Sequence, residues 1–327
     1  KWTGNLTNDL TLSALVGQGT YDRSSNLAGA DCPVVIDLRT SVRADLGCWG
    51  ATRVTNPNAK DKRTAGRLDM EWHLGKHTLQ AGLDHEIYDV VDGTAIPGDG
   101  QYVLRTRQPG QRLSSGYVIP GTAGVDPAVQ VIQYRSFVNG GSFKTINSAW
   151  YLQDAMQVTK DLVVTAGIRN ESFTNKNADG VPFIKVNNTW APRFGAAWDV
   201  NGDAKLKVYG NAGRYYIPVY ANTNVRLSGR ENDYTEWYAY GGSNSNDRFQ
   251  RPVKGAMLGP RVVSSDGATP NPLSVVDQNI KPMFQDEFIV GMQKALANRW
   301  SFGVKYTHRA LKNGMDDICN DEGPTAW

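Results

Sequence analysis

The connections between the predicted strands alternate between very short and very long, and this order constrains the fold more than any other feature of the chain. Alternating apolar and polar side chains predict a series of strands of about ten residues each. The short connections are residues 75–76, 159–161, 201–203 and 297–299, and the long ones are about 22–63, 90–144, 174–186 and 218–282. Soluble domains mostly use connections of ~4–6 residues, whereas outer-membrane barrels combine short periplasmic turns with long extracellular loops. We therefore expect an all-β chain, part of an antiparallel transmembrane β-barrel.

The charge of the predicted strands lies on one face. Within residues 67–74, for example, Arg, Asp, Glu and His alternate with Leu, Met, Trp and Leu. A Lys or Arg that faces the lipid midplane costs ~2–4 kcal/mol, so we expect the charged face to line the lumen and the apolar face to meet lipid. The predicted lumen-facing residues are Arg67, Asp69, Glu71, Asp84, Glu86, Arg169, Glu171, Arg193, Lys205 and Lys207.

A soluble β-sandwich would show the same alternation, because its outer face is polar too. Composition argues against membrane-spanning helices. The mean hydropathy is −0.45, and no segment approaches the run of ~20 apolar residues that a spanning helix needs. A spanning strand needs only ~9–11 residues with one apolar face. The formal net charge is +3 over 327 residues, and no dense basic run indicates a nucleic-acid partner.

The number of predicted strands indicates an incomplete barrel. We count about nine, whereas bacterial single-chain barrels have an even number. Residues 1–3 read like the tail of a strand, and neither a signal peptide nor a closing strand is evident. Residues 1–327 are therefore expected to be one partial barrel domain.

Five stretches, in their order and spacing, carry a family resemblance. They are AWYLQD at 149–154, the strand at 162–171, WAPRFGAAWD at 190–199, KVYGNAGRYY at 207–216 and IKPMFQDEF at 280–288. They resemble the barrel of TonB-dependent receptors of Gram-negative bacteria, particularly the Oar-like group. The similarity runs, with gaps at the loops, over about residues 10–317.

The resemblance implies a fold and a set of partners. It implies a barrel of about 22 strands whose lumen is plugged by an N-terminal domain. It also implies uptake of a scarce small ligand, energised by the inner-membrane TonB complex through an N-terminal segment; the plug and that segment are not in this sequence. Outer-membrane lipid is the remaining implied partner, and no cofactor is implied. A passive porin-type channel and a soluble all-β carbohydrate-binding domain stay open as alternatives.

The long loop at about 218–282 is rich in aromatic residues between positions 220 and 240. Tyr234, Trp237, Tyr238 and Tyr240 are candidates for contact with a ligand at the cell surface, because an aromatic surface suits sugars, peptides and planar chelates. The alternative is that the loops pack on each other above the lumen.

Cysteine and histidine positions give weaker indications. Cys32 and Cys48 lie in one polar segment and are able to close a loop in an oxidising compartment, with two free thiols as the alternative. His73, His77 and His85 lie around one tight turn, but no carboxylate completes a recognisable ligand set, so we expect no metal. No Ser/His/Asp or Cys/His arrangement has supporting context. We therefore expect no catalytic residue and no enzyme.

Overall fold

The computed structural model describes residues 1–24, 31–47, 52–296 and 299–315. Nearly all regular structure in these residues is strand. The strands are β1 (Trp2–Asn5), β2 (Leu10–Asp22), β3 (Val34–Leu38), β4 (Ala44–Gly47), β5 (Val54–Thr55), β6 (Lys60–Leu74), β7 (His77–Ala95), β8 (Gln101–Arg107), β9 (Val129–Thr159), β10 (Leu162–Lys176), β11 (Pro182–Asp199), β12 (Leu206–Tyr216), β13 (Arg230–Ser243), β14 (Pro252–Met257), β15 (Val262–Asp266), β16 (Phe284–Leu296) and β17 (Trp300–Lys312). The helices are α1 (Ala221–Leu227) and α2 (Pro272–Val275). Neither helix has the length and hydropathy that a membrane-spanning helix requires, among the residues described.

Ten strands form one continuous antiparallel ladder. Their order across the ladder is β1, β2, β6, β7, β9, β10, β11, β12, β16 and β17. All nine predicted strands lie in it. The tenth, β1, matches residues 1–3, which read like the tail of a strand, although its four residues are too few for the alternation to show. No described pairing joins β17 back to β1, so the ladder is open.

The register of the ladder keeps charged and apolar side chains on separate faces. Arg67 lies opposite Asp84 across β6 and β7, and Trp72 lies opposite Leu79 in the same pair. Because side chains alternate along a strand, this register continues both faces from strand to strand. We call them the polar face and the apolar face.

The apolar face is exposed rather than buried. Trp72 is 40% exposed, Phe194 61% and Phe302 54%, whereas Val164 is half-buried by its neighbours. A soluble sandwich would bury these side chains between two sheets. The exposed face therefore removes the main argument for a soluble domain.

Tryptophans lie near both limits of the apolar face. Trp72 and Trp198 lie close to the short turns, and Trp150 and Trp190 lie towards the other limit, with ring centroids 5.5 Å apart. From Trp190 to Trp198 the strand rises about 27 Å, which a tilted strand reduces to about 20 Å. This height is close to the ~25 Å apolar band of outer-membrane barrels.

One end of the ladder, which we call the short-turn end, has tight connections. Gly75 occupies the β6–β7 turn with a φ of +58°, a conformation that glycine adopts without strain. Residues 200–205 connect β11 to β12, where the Asp199 side chain accepts a hydrogen bond from Ala204 N at 2.6 Å. The predicted turn at 297–299 lies partly outside the described residues.

The opposite, long-loop end is more ordered than the sequence indicates. The predicted loop at 174–186 is wrong: β10 continues to Lys176 and β11 begins at Pro182, so only residues 177–181 form the turn. The Asn177 side chain accepts hydrogen bonds from Asp179 N and Val181 N at 3.1 and 2.9 Å. The strands continue because Phe173, Phe183, Ile184 and Val186 are buried together there.

The other long connections carry the remaining strands. β3 pairs with β4 and β8, β8 pairs with β9, and β13 pairs with β9, β14 and β15. They enclose two adjacent buried groups, which we call the loop cluster. Its buried members are Val35, Tyr102, Leu104, Ile132 and Tyr134 in one group, and Leu113, Ile119, Val131 and Trp237 in the other.

Candidate functional site

Arg169 joins two acidic residues on the polar face. Its Nη1 lies 2.9 Å from Asp84 Oδ2, and its Nε donates to Glu171 Oε1 at 2.7 Å. Arg67 binds Asp69 through Nε at 2.7 Å and lies 3.8 Å from Asp84. Five of the ten predicted lumen-facing residues therefore form one connected group across three strands.

Polar uncharged side chains extend this group. Tyr151 OH donates to Asp69 Oδ1 at 2.7 Å. Gln80 Nε2 donates to Glu71 Oε2 at 2.8 Å. Tyr88 OH donates to Glu86 at 2.6 Å, and Arg63 also binds that carboxylate. Glu71 and Glu86 therefore have partners on the same face.

The three remaining predicted residues make different contacts. Arg193 lies 4.7 Å above the Tyr215 ring, and Lys207 lies 5.6 Å above the Tyr209 ring, both on the polar face. Lys205 instead lies in the turn before β12, with its Nζ 3.4 Å from Asp203 Oδ2. The structure thus brings nine of the ten onto the polar strand surface and leaves Lys205 at the short-turn end.

One ion pair and one histidine–carboxylate contact lie on the apolar face and were not predicted. Arg214 makes a two-pronged contact with Asp286, at 2.8 and 3.0 Å, near the long-loop end. His77 Nδ1 lies 2.7 Å from Asp154 Oδ2 near the short-turn end. Asp154 shares a strand face with Leu152, and its partner His77 lies 77 positions earlier in the chain. Both pairs lie towards the limits of the apolar face.

The four aromatic residues proposed to contact a ligand pack on their own chain. Trp237 is 3% exposed, and its Nε1 donates to Ser114 Oγ at 2.8 Å. Tyr234, Tyr238 and Tyr240 are partly buried against the loop cluster. Each ring has a cationic side chain over it: Arg261 on Tyr234 (3.9 Å), Arg107 on Trp237 (5.5 Å), Lys254 on Tyr238 (4.9 Å) and Arg39 on Tyr240 (4.8 Å). This geometry matches the alternative in which the loops pack on each other, and ligand contact stays a prediction.

A buried carboxylate connects one of these rings, Tyr238, to one of these cations, Arg261. Glu236 is 7% exposed and accepts hydrogen bonds from Tyr238 OH at 2.7 Å and Arg261 Nε at 2.8 Å. Burial opposes its ionisation, but the two hydrogen bonds prevail and lower its pKa. Burial and the same hydrogen bond raise the pKa of Tyr238 to about 12. Near neutral pH the pair is therefore a carboxylate and a neutral phenol.

The loop cluster is expected to loosen in acid through Glu236. A carboxylate with a lowered folded pKa stabilises above its ordinary pKa of about 4.3, and this stabilisation is lost as the pH falls through the folded value. We expect Glu236→Gln to destabilise the cluster by about 1–2 kcal/mol at neutral pH and to flatten its response to acid. Acrylamide quenching of tryptophan fluorescence measures both effects. An unchanged acid response in the variant would show that Glu236 does not control the loosening.

A cavity lies between the wall and helix α1 at the long-loop end. Its volume is about 640 Å³. The polar side chains around it include Arg23, Asp61, Arg63, Tyr88 and Asp92 from the strands and Asn222 from α1. Arg23 is held by Asp92 at 2.6 Å and by Asp61 at 2.8 Å.

Helix α1 follows β12 and precedes β13 along the chain, and it lies against the wall. It packs against β7, β9 and β10. Asn224 is fully buried and donates through Nδ2 to Lys176 O at 3.3 Å, and Asn175 Nδ2 donates to Val219 O at 3.0 Å. These buried bonds connect the loop to the wall beneath it.

Comparison with known proteins decides the family. The family model described as TonB dependent receptor-like, beta-barrel, matches residues 1–314. The chain belongs to this family. The TonB-dependent transporter Oar of Myxococcus xanthus is 24% identical over 286 residues, which cover 77% of this chain and 25% of that protein. The chain thus spans about a quarter of the length of the curated relative that it matches.

Solved structures of outer-membrane proteins are also similar, at low scores. The toluene transporter TbuX of Ralstonia pickettii has a TM-score of 0.33 and 10% identity, over 93% of this chain and 67% of that one. The alcaligin outer membrane receptor FauA of Bordetella pertussis has a TM-score of 0.27 and 11% identity, over 97% and 53%. Scores of this size add nothing to the fold argument.

Family membership gives the receptor barrel its orientation. Barrels of this family lie in the outer membrane, so the short-turn end is periplasmic and the long-loop end is extracellular. The antiparallel barrel and the outer-membrane location predicted from the sequence are confirmed. The match favours a receptor over the passive porin and the soluble carbohydrate-binding domain.

The histidines of the receptor barrel lie on both faces of the wall, and Cys32 is disulfide-bonded. His73 lies on the polar face beside Glu71 at 3.3 Å, whereas His77 and His85 lie on the apolar face, where His85 contacts Ser148 at 2.9 Å. Within the described residues no group of three or more His, Cys, Asp or Glu is arranged to hold a metal ion. Cys32 is disulfide-bonded, but Cys48 lies outside the described residues, so their pairing stays a prediction.

Proposed function

We propose that the whole protein is an outer-membrane receptor that takes up a scarce ligand with energy from the inner-membrane TonB complex. This chain supplies a part of the barrel wall and the loops above it, and acts by binding and passage rather than by catalysis. The observation that carries the proposal is the single ladder with charge on one face, exposed apolar residues on the other, and packed loops at one end. Contact with the TonB complex is assigned to a part of the protein other than this wall.

The apolar face is proposed to contact outer-membrane lipid. Exposed apolar side chains on three strands of the ladder, such as Leu152 on β9, Phe194 on β11 and Val290 on β16, support this. The Arg214–Asp286 ion pair and the His77–Asp154 contact suit the borders of the membrane, where polar and charged groups cost least.

The polar face is proposed to line the lumen. The group centred on Arg169 keeps its charges paired, so this surface is hydrated without a strong net potential. Its partners are partly exposed, so each ion pair contributes little to stability. We assign the group to shaping the lumen surface rather than to holding the barrel together. Lys205 is left out of this proposal, because it lies in a periplasmic turn.

The cavity beside α1 is the proposed ligand site within this chain. Its volume of about 640 Å³ falls in the range of small-molecule sites, ~300–1,000 Å³. It lies at the extracellular end of the polar face, where a ligand arriving from outside would first meet the lumen. Tyr234, Tyr238 and Tyr240 are proposed to hold the loops around this entrance.

Permeability separates a receptor from a passive channel. We expect the full-length protein, expressed in cells that lack their own porins, to leave the uptake of hydrophilic antibiotics unchanged, because a plug would fill the lumen. Cells with an empty vector give the uptake without a channel, and cells with a known porin give the uptake through an open one. Antibiotic uptake that rises towards the porin level would show a passive channel instead.

Contact with TonB tests the energy coupling directly. Cysteines introduced along the N-terminal segment of the full-length protein are expected to crosslink to TonB in intact cells, at successive positions. A cysteine in a periplasmic turn, such as Lys205→Cys, serves as the control that should give much less product. Equal crosslinking at both places, or none at either, would contradict TonB-coupled uptake.

A further inference from the structure

Three tyrosine rings converge on one ammonium group in the extracellular loops. Lys254 Nζ lies 3.4 Å from the ring centroid of Tyr134, 4.9 Å from that of Tyr238 and 5.2 Å from that of Tyr102. All three distances fall within the ~6 Å at which a ring face attracts a cation. We call the rings of Tyr102, Tyr134 and Tyr238 the tyrosine cage.

The cage is held in place without Lys254. Tyr102 and Tyr134 are 4% and 8% exposed, and their strands β8 and β9 pair directly. Tyr102 OH donates to Asp99 Oδ2 at 2.7 Å, and Tyr134 OH binds the Asp99 carbonyl. Hydrogen bonding of the hydroxyls fixes the rings, so their faces are preorganised for a cation.

Lys254 occupies the cage from an exposed position in the same chain. It is exposed as a whole residue, and its strand β14 pairs with β13 through an irregular register. Among the described residues, no carboxylate lies within ion-pair distance, 4.0 Å, of its Nζ. Partial desolvation against the rings lowers the pKa of Lys254, opposed by the charges of Glu236 and Asp99. The ammonium therefore loses water without gaining a direct ion pair.

The surroundings of the cage select for cations with little bound water. Glu236 and Asp99 favour positive charge in the cage, since both raise the pKa of Lys254. A lysine ammonium is compact and strongly hydrated, and shedding that water costs free energy. A quaternary ammonium presents methyl groups to the rings and keeps its charge, which is why aromatic cages recognise such groups.

The geometry points to the tyrosine cage as a binding site for a quaternary ammonium group, in which Lys254 is a displaceable resident cation. An external ligand exchanges with Lys254 and releases β14 from the rings. The site lies on the extracellular side and is separate from the cavity beside α1. Binding at equilibrium needs no TonB, so this inference stands or falls independently of energised uptake.

Tetramethylammonium is the probe for this exchange, titrated by saturation-transfer NMR against the purified full-length receptor in a detergent without choline. Lys254→Ala removes a competitor that is present at high effective concentration, so we expect about tenfold tighter binding than in the unaltered protein. Adding Tyr134→Leu to that variant is expected to abolish the gain. Neopentyl alcohol, an uncharged molecule of the same branched shape, is expected to show no gain.

Two results would overturn the inference. Equal affinity of Lys254→Ala and the double variant for tetramethylammonium would show that the rings do not bind it. An equal gain for neopentyl alcohol would show an apolar hollow without selection for charge. If Lys254→Ala loosens the loops, as limited proteolysis would reveal, Lys254→Gln is the deciding variant. It removes the charge, keeps most of the side-chain length and carries the same expectation.

Discussion

Phe194→Arg is expected to lower the free energy of unfolding of the whole receptor by about 2–4 kcal/mol, the cost of an arginine at the middle of an outer-membrane barrel. Phe194 is 61% exposed on the apolar face. It lies midway between Trp190 and Trp198, which mark the two limits of the apolar face on β11. At this depth the guanidinium has no water and no partner. Denaturant titration of the receptor folded into lipid vesicles measures the loss.

The polar face supplies the matched control. Asn211 lies one strand away, opposite Gly195, and is exposed on the polar face. Asn211→Arg adds the same side chain where we propose a hydrated lumen, so its effect is expected to stay within about 0.5 kcal/mol. Similar losses in both variants would contradict the assignment of the two faces, and a small loss in both would place Phe194 outside the membrane.

The wall of the barrel could be predicted from the sequence because its signals are local. A period of two, a glycine turn and an apolar face are visible within a dozen residues, and all nine strands inferred from them lie in the ladder. The alternation of apolar and polar residues gives the wrong strand limit where side chains of a turn fix the backbone. Lys205 continues the alternation of β12, but its backbone N–H binds Asp203 Oδ1 at 3.0 Å and keeps it in the turn.

The loops could not be predicted, because their contacts join distant segments. Trp237 donates to Ser114 across 123 positions, and β3 pairs with β8 in parallel. No short pattern in either segment indicates the partner. The sequence also does not predict that β10 and β11 continue past the membrane, for the same reason. Phe173 and Phe183 become buried only when the two strands stay paired.

Trp237→Ala is expected to destabilise the loop cluster by about 3–5 kcal/mol, the usual cost of removing a buried tryptophan. The side chain is 3% exposed and packs with Leu113, Ile119 and Val131. Its removal leaves a cavity and deprives Ser114 Oγ of its donor. Because loops open locally while a barrel stays closed, we expect faster amide hydrogen exchange in residues 108–131 and 252–258, with unchanged exchange in β10 and β11.

Tyr220→Ala is the control for this prediction, since Tyr220 precedes α1 in the same long connection and is 68% exposed. It is expected to change exchange in the loop cluster by less than about 0.5 kcal/mol. Unchanged exchange in Trp237→Ala would show that the cations and carboxylates around the rings hold the cluster without its apolar core. Faster exchange that extends into β10 and β11 would show that loops and wall unfold together, so that the extracellular loops stabilise the barrel rather than merely cover it.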